Sequence, residues 1–244
     1  MKFYVFSDDE SDKINLILDH NTTATIEWIN QTDFDEAGGI VTDNLKQTEN
    51  SCRFEKKCIG NNVGPITLLR QLKEDTKEWN GTITPSNYTM DQSTQPSEAN
   101  YTIDYSEYKA RLITAQEIAE ITGAAEKISW DEKISADLDY YYLDSLSITQ
   151  SDICNSENVT GCKYGWLYDR TATNCKENGC LNNSNLTIAG YWTSSSISNY
   201  SGCAWGINLY GELSHFGLYH ANIGVNTNSS LGVRPVIEVL KSKL

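Results

Sequence analysis

Few residues in this 244-residue chain have the types and spacing that chemistry requires. His215 and His220 stand five apart near the C-terminus, and the third histidine, His20, is remote in sequence. Two imidazoles can begin a zinc site, but a third protein ligand is needed and none is evident beside them. Calcium wants several oxygen ligands, and between Glu177 and Arg234 the only formally charged side chain is Glu212. Cys203 has no companion cysteine in that region, and a lone cysteine is more often a small buried hydrophobe than a nucleophile. No Ser-His-Asp order, phosphate-binding loop or paired-carboxylate motif stands out. The residues therefore assign no catalytic role, no metal and no cofactor.

Six further cysteines fall in close pairs: Cys52 with Cys58, Cys154 with Cys162, and Cys175 with Cys180. Each pair can close a small disulfide loop within a polar, Gly- and Asn-rich segment, which implies an oxidising, extracellular location. Zinc is the competing reading. Against it, the pairs enclose mostly wider spacings than the two to four residues usual for zinc knuckles, and no histidine lies near them.

What the C-terminal region does contain is the composition of a binding face. From Gly190 to Pro235, charge gives way to Ser, Asn, Gly, Tyr and two of the three histidines. Tyrosine supplies rigid contact area at low entropic cost, and Ser, Asn and Gly supply adaptable hydrogen bonds. The formal net charge of −14 argues against nucleic acid as a partner, because phosphates demand clustered Lys and Arg. It equally disfavours a basic membrane-surface helix, and no apolar run approaches the length of a membrane span. Direct membrane insertion by this chain is not expected.

The elements that would carry such a face follow from periodicity. Phe3–Phe6 and Asn15–Leu18 read as a hairpin across an acidic turn, and Thr25–Ile29 as a third strand. The polar stretch 31–62 reads as an inserted loop. A helix opens after Gly64-Pro65, with Ile66, Leu69, Leu72 and Trp79 at helical spacing. Ala110–Ile113 reads as a strand running into a helix, where Thr114 and Glu117 form a capping box. Strands are expected at 166–168, 191–193, 204–210, 213–219 and 233–240, with Gly211-Glu212 joining two of them as a hairpin. Pro235 must sit at a strand start or on an edge, since it cannot donate to a ladder. The result is one α+β domain whose termini share a sheet.

The segments YKARLITAQEIAEITG, GYWTSSS, CAWGINLYGEL and GVRPVIEV together resemble the C-type lectin fold. The similarity is to its bacterial branch, which holds formylglycine-generating-enzyme-like domains and the variable proteins of diversity-generating retroelements. Arg111 to Glu117 stands where those relatives carry an RLPTEAEWE-like segment. The resemblance covers residues 1–30 and 64–244. It implies two helices on mostly antiparallel sheets, pairing of the N- and C-terminal strands, and a variable ligand-binding region at about 190–232. In the diversified members the displayed codons mutate through adenines, mostly at AAY, and cannot become Lys, Glu, Gln, Met or Trp. Those five types make up 46 of the 244 residues, so about seven are expected in the 38 residues from Ser194 to Leu231. Two occur, Trp205 and Glu212.

On that frame Trp192, Trp205, Ile207, Leu213, Val233 and Val236 are expected as scaffold. Asn199, Tyr200, Cys203, Tyr210, Ser214, His215, Phe216, Tyr219, His220 and Asn222 are expected as ligand contacts, with Phe216 or Tyr219 open to an inward alternative. The oxidase activity of the formylglycine-generating relatives does not carry over, because Cys203 lacks a second cysteine. Nor does the calcium-dependent sugar site of vertebrate-type lectins: the nearest match, Gln95-Pro96-Ser97, lacks the carboxylate. The resemblance thus implies a receptor- or adhesin-type surface protein with an unknown protein or glycan ligand. It would be displayed outside the cell by an anchor, pilin-like in related chains, that lies outside this sequence. A fixed-specificity glycan adhesin and a formylglycine-generating-type oxidase are the alternatives.

Overall fold

The computed structural model describes residues 1–8, 12–40, 59–79, 88–89, 101–122, 190–197, 202–208, 213–218 and 231–243. Strands β1 (Phe3–Ser7) and β2 (Lys13–Leu18) form the N-terminal antiparallel hairpin. The C-terminal strand β10 (Val236–Leu240) lies antiparallel on the other side of β2, with Val236 opposite Ile17 and Leu240 opposite Lys13. The termini do share a sheet, of order β1-β2-β10. The C-terminal strand, however, pairs with the second strand and not the first. Burial explains the order: Ile14, Ile17 and Leu18 of β2 are buried, whereas β1 leaves Val5 exposed, as suits an edge.

A second sheet has the order β3-β9-β6-β7-β8. Its strands are β3 (Thr23–Ile26), β9 (Leu231–Val233), β6 (Gly190–Ser196), β7 (Cys203–Asn208) and β8 (Leu213–Gly217). All neighbours are antiparallel except β6 and β9, which run parallel with Tyr191 opposite Gly232. A parallel pair needs a long crossover, and here the β7–β8 hairpin lies within it. Two short strands, β4 (Tyr88–Thr89) and β5 (Thr102–Ile103), pair separately.

Three α-helices occur among the described residues. The first, α1 (Gln31–Glu36), lies in the stretch whose polarity reads as an inserted loop. The Asn30 side chain caps it by accepting from the Asp33 N–H at 2.8 Å. Phe34 anchors it in the core, and Asp33 is buried against Arg70 and Thr67. At the far end of the same stretch Ile59 joins the core, so both flanks of 31–62 are built into the domain. Helix α2 (Ile66–Thr76) follows Pro65 and buries Leu68, Leu69 and Leu72. Helix α3 (Ala115–Thr122) starts with the expected capping box. Glu117 N–H donates to Thr114 Oγ1 at 3.0 Å, and Thr114 N–H donates to the Glu117 carboxylate at 2.9 Å. Just upstream, Ala110–Ile113 is not a strand. All four residues are buried, and the segment bonds to two partners, Arg111 to Val236 and Ile113 to Ser194.

Trp28, Ile29, Phe34, Leu68, Leu72, Leu112, Trp192, Ala204, Phe216, Leu231 and Val233 belong to one core cluster between the five-stranded sheet and the helices. No helix among the described residues is long and apolar enough to cross a membrane.

Candidate functional site

The region expected to bind ligand is organised by β6, β7 and β8. All six expected scaffold residues, Trp192, Trp205, Ile207, Leu213, Val233 and Val236, are buried. Two tryptophans lock β6 to β3 and to the chain just after it. The Trp192 indole donates to Ile26 O at 2.8 Å, and that of Trp28 donates to Thr193 O at 3.0 Å. Each indole N–H thus has the partner that its burial requires.

The polar residues of Tyr-Trp-Thr-Ser-Ser-Ser are equally internal. Thr193 to Ser196 are all buried. The register slips here: Trp192 faces Gly206 while Ser196 faces Ala204, so β6 bulges against β7. The freed groups are bonded elsewhere. Thr193 Oγ1 donates to Trp205 O at 2.8 Å, Ser194 N–H to Ile113 O at 3.0 Å, and Tyr101 OH to Ser194 O at 2.7 Å. Ser195 Oγ accepts from the Ala115 N–H at 3.0 Å, at the start of α3. This serine run is a seam that docks α3 onto the sheet. Its composition alone looked like part of a contact surface.

The β7–β8 hairpin places four of the expected contact residues. Cys203 faces Gly217, Phe216 faces Ala204, His215 faces Trp205 and Ser214 faces Gly206. Cys203 and Phe216 are only 3% and 7% exposed. Phe216 packs edge-on to Trp192 with ring centroids 5.8 Å apart, which is the inward alternative. Both residues therefore belong with the frame: a side chain packed inside the protein presents nothing to a ligand. No disulfide involves Cys203 among the described residues. Ser214 and His215 are half-buried on adjacent positions of β8. Asn199, Tyr200, Tyr210, Tyr219, His220 and Asn222 lie outside the described residues, as do Cys52, Cys58, Cys154, Cys162, Cys175 and Cys180.

Strand ends still fix where the connections depart. Cys203 at the start of β7 is level with Gly217 at the end of β8, and Ser196 at the end of β6 is level with Ala204. The β6–β7 connection and the segment after β8 therefore leave from one end of the sheet. The β7–β8 connection leaves from the other.

Close packing fixes the frame's glycines. A Cβ on Gly206 would collide with Leu231 Cδ1 and lie 3.1 Å from Phe216 Cδ2. One on Gly232, in Gly-Val-Arg-Pro, would strike the Asn21 side chain and lie 2.8 Å from Thr23 O. That motif also buries Arg234 completely, over the Tyr191 ring at 5.0 Å. Burial pushes the Tyr191 hydroxyl up to about 12, with the Arg234 cation pulling the other way.

A second feature leaves little trace in the sequence. Arg111 is buried between the two sheets and α3. Its Nη1 and Nη2 meet the two Glu117 oxygens at 2.9 and 2.7 Å, its Nε meets Glu238 at 3.1 Å, and Nη2 also meets Asn15 Oδ1 at 3.0 Å. The only sequence signal was an arginine six residues before the capping-box glutamate.

Comparisons with protein-family models, with curated proteins and with solved structures gave no match.

Proposed function

We propose that the chain is a ligand-binding surface domain of receptor or adhesin type. On this reading it has the C-type lectin-like fold, and a retroelement diversifies its C-terminal region. The observation that carries the proposal is the division of labour along β6–β8. A region with Glu212 as its one charged side chain is anchored by buried Trp192, Trp205, Ile207, Leu213 and Phe216, while Ser214 and His215 stay half-buried between those anchors. A frame of this kind holds its shape whatever its exposed positions carry, which is what a variable binding face requires. The shortage of Lys, Glu, Gln, Met and Trp from Ser194 to Leu231 fits adenine-directed mutation. The three cysteine pairs fit display outside the cell.

Combinatorial substitution tests this. A library mixing the fifteen residue types that AAY codons can reach, at Asn199, Tyr200, Tyr210, Ser214, His215, Tyr219, His220 and Asn222, should yield mostly folded members. The same alphabet at Trp192, Trp205, Ile207, Leu213, Val233 and Val236 should yield mostly unfolded ones. Equal loss of folding in both libraries would remove the proposal. A fixed-specificity glycan adhesin would instead tolerate the first library but lose one defined glycan-array signal in nearly every member.

A further inference from the structure

One buried charge stands without a counter-charge among the described residues. Among the described residues the buried carboxylates are Asp19, Asp33 and Glu238. Asp19 meets His20 Nδ1, Asp33 meets Arg70, and Glu238 meets Arg111 and Lys13. Arg234, in the kink between β9 and β10, is fully buried and meets no carboxylate among the described residues. Its Nε donates to Leu18 O at 2.7 Å. Nη1 and Nη2 have no hydrogen-bond partner among the described residues. Those two nitrogens carry four N–H donors, and a guanidinium does not shed its charge as a buried lysine can.

A second buried group at the same place is also unmatched. The Tyr191 hydroxyl is fully buried with no hydrogen-bond partner among the described residues. The Arg234 cation lies near enough to favour the ionised form of that hydroxyl, and a side-chain contact between the two acts in the same sense, although that contact falls short of ordinary hydrogen-bond geometry. Both groups have protons to donate around one locus. Burying a charge is costly unless it is paired and hydrogen-bonded. The missing partner must accept hydrogen bonds and carry one negative charge to balance one guanidinium. It must also be small, because the guanidinium has no solvent-accessible surface through which a larger ligand could extend.

We propose that Arg234 and Tyr191 enclose a single small monoanion of the halide class at the junction of the two sheets. Arg234 supplies N–H donors and the charge, and Tyr191 supplies an O–H donor. The ion would tie the Gly-Val-Arg-Pro kink to β6 and to the end of β2, beneath the variable face and independently of what that face binds.

Two measurements on the intact chain test this. The first is thermal unfolding in sodium chloride against sodium gluconate at matched ionic strength. An ion held only by the folded state should raise Tm by roughly 3–5 °C per tenfold chloride above its dissociation constant. Tyr191→Phe removes one donor, conserves the ring, and should shift this response to higher chloride. The second is a crystal grown or soaked in sodium bromide, with an anomalous peak expected within hydrogen-bond reach of Arg234 and Tyr191. A Tm that does not distinguish the salts, or density at Arg234 without an anomalous peak, would overturn the proposal and assign the place to water or to a carboxylate of the chain.

Discussion

Replacing Arg111 by methionine isolates the contact that joins the two sheets to α3. Five donor contacts are lost: two to Glu117, one each to Glu238 and Asn15, and one to Leu112 O at 3.1 Å. Glu117 is partly open to solvent and keeps its capping bonds, so rehydration softens its loss. Glu238 fares worse. Its side chain is only 8% exposed, and its other cation is a half-exposed Lys13 at 3.3 Å. Removing one partner of a buried ion pair strands the other, at a cost of about 3–5 kcal/mol. For a domain of this size that lowers Tm by roughly 10 °C. Arg111→Lys should be little better, because an ammonium cannot meet the Glu117 carboxylate as a fork while also reaching Glu238. Arg111→Met combined with Glu238→Leu should recover part of the loss, since no buried charge is left behind. Urea unfolding of the four proteins measures all of this. A single Arg111→Met variant within about 1 kcal/mol of wild type, or a double variant no more stable than the single, would mean that Arg111 does not hold a buried charge in balance.

Other outcomes follow from the same packing. Phe216→Ala should cost about 3–5 kcal/mol by opening a cavity against Trp192, while Ser214→Ala stays within about 0.5 kcal/mol. Gly206→Ala should cost about 1–3 kcal/mol through its clash with Leu231, with partial rescue by Leu231→Val. Burial raises the pKa of Tyr105 and of Tyr191, the latter to about 12. The unfolded chain therefore releases these protons first, so stability is intact below pH 10 and falls as pH rises through 10 to 12. Phenolate absorbance should show both tyrosines ionising only with unfolding, and ordinary titration near pH 10 would contradict their burial. Native mass without reductant should lie about 6 Da below the fully reduced mass, for six oxidised cysteines. Cys203 should resist thiol reagents until the chain unfolds.

Local signals carried well from sequence to structure. The N-terminal hairpin, helix α2 and the Thr114–Glu117 capping box depend on residues within a few positions of one another, and each appears. Helix α1 was hidden because Phe34 is its only apolar anchor and the cap at Asn30 looks like any loop asparagine. Long-range choices were not legible. That β10 pairs with β2 instead of β1 depends on which hairpin strand is buried on assembly. That Ser194 to Ser196 are internal depends on a bulge in β6 and on α3 arriving from 80 residues upstream. Alternation also failed for Phe216 and Cys203, because β7 and β8 bury residues on both faces, and an inward position then looks the same as an outward one.

A fixed frame under an adenine-diversified binding face would leave its clearest trace in DNA. The measurement is the coding sequence for residues 194–231 compared with the rest of its genome. A second near-copy of that stretch is expected beside a reverse transcriptase gene. Mismatches should be confined to adenines of the copy and should fall on codons such as those of Tyr200, Ser214, His215 and His220, sparing Trp205. No such copy, or mismatches spread over all four bases and over the frame codons, would contradict it.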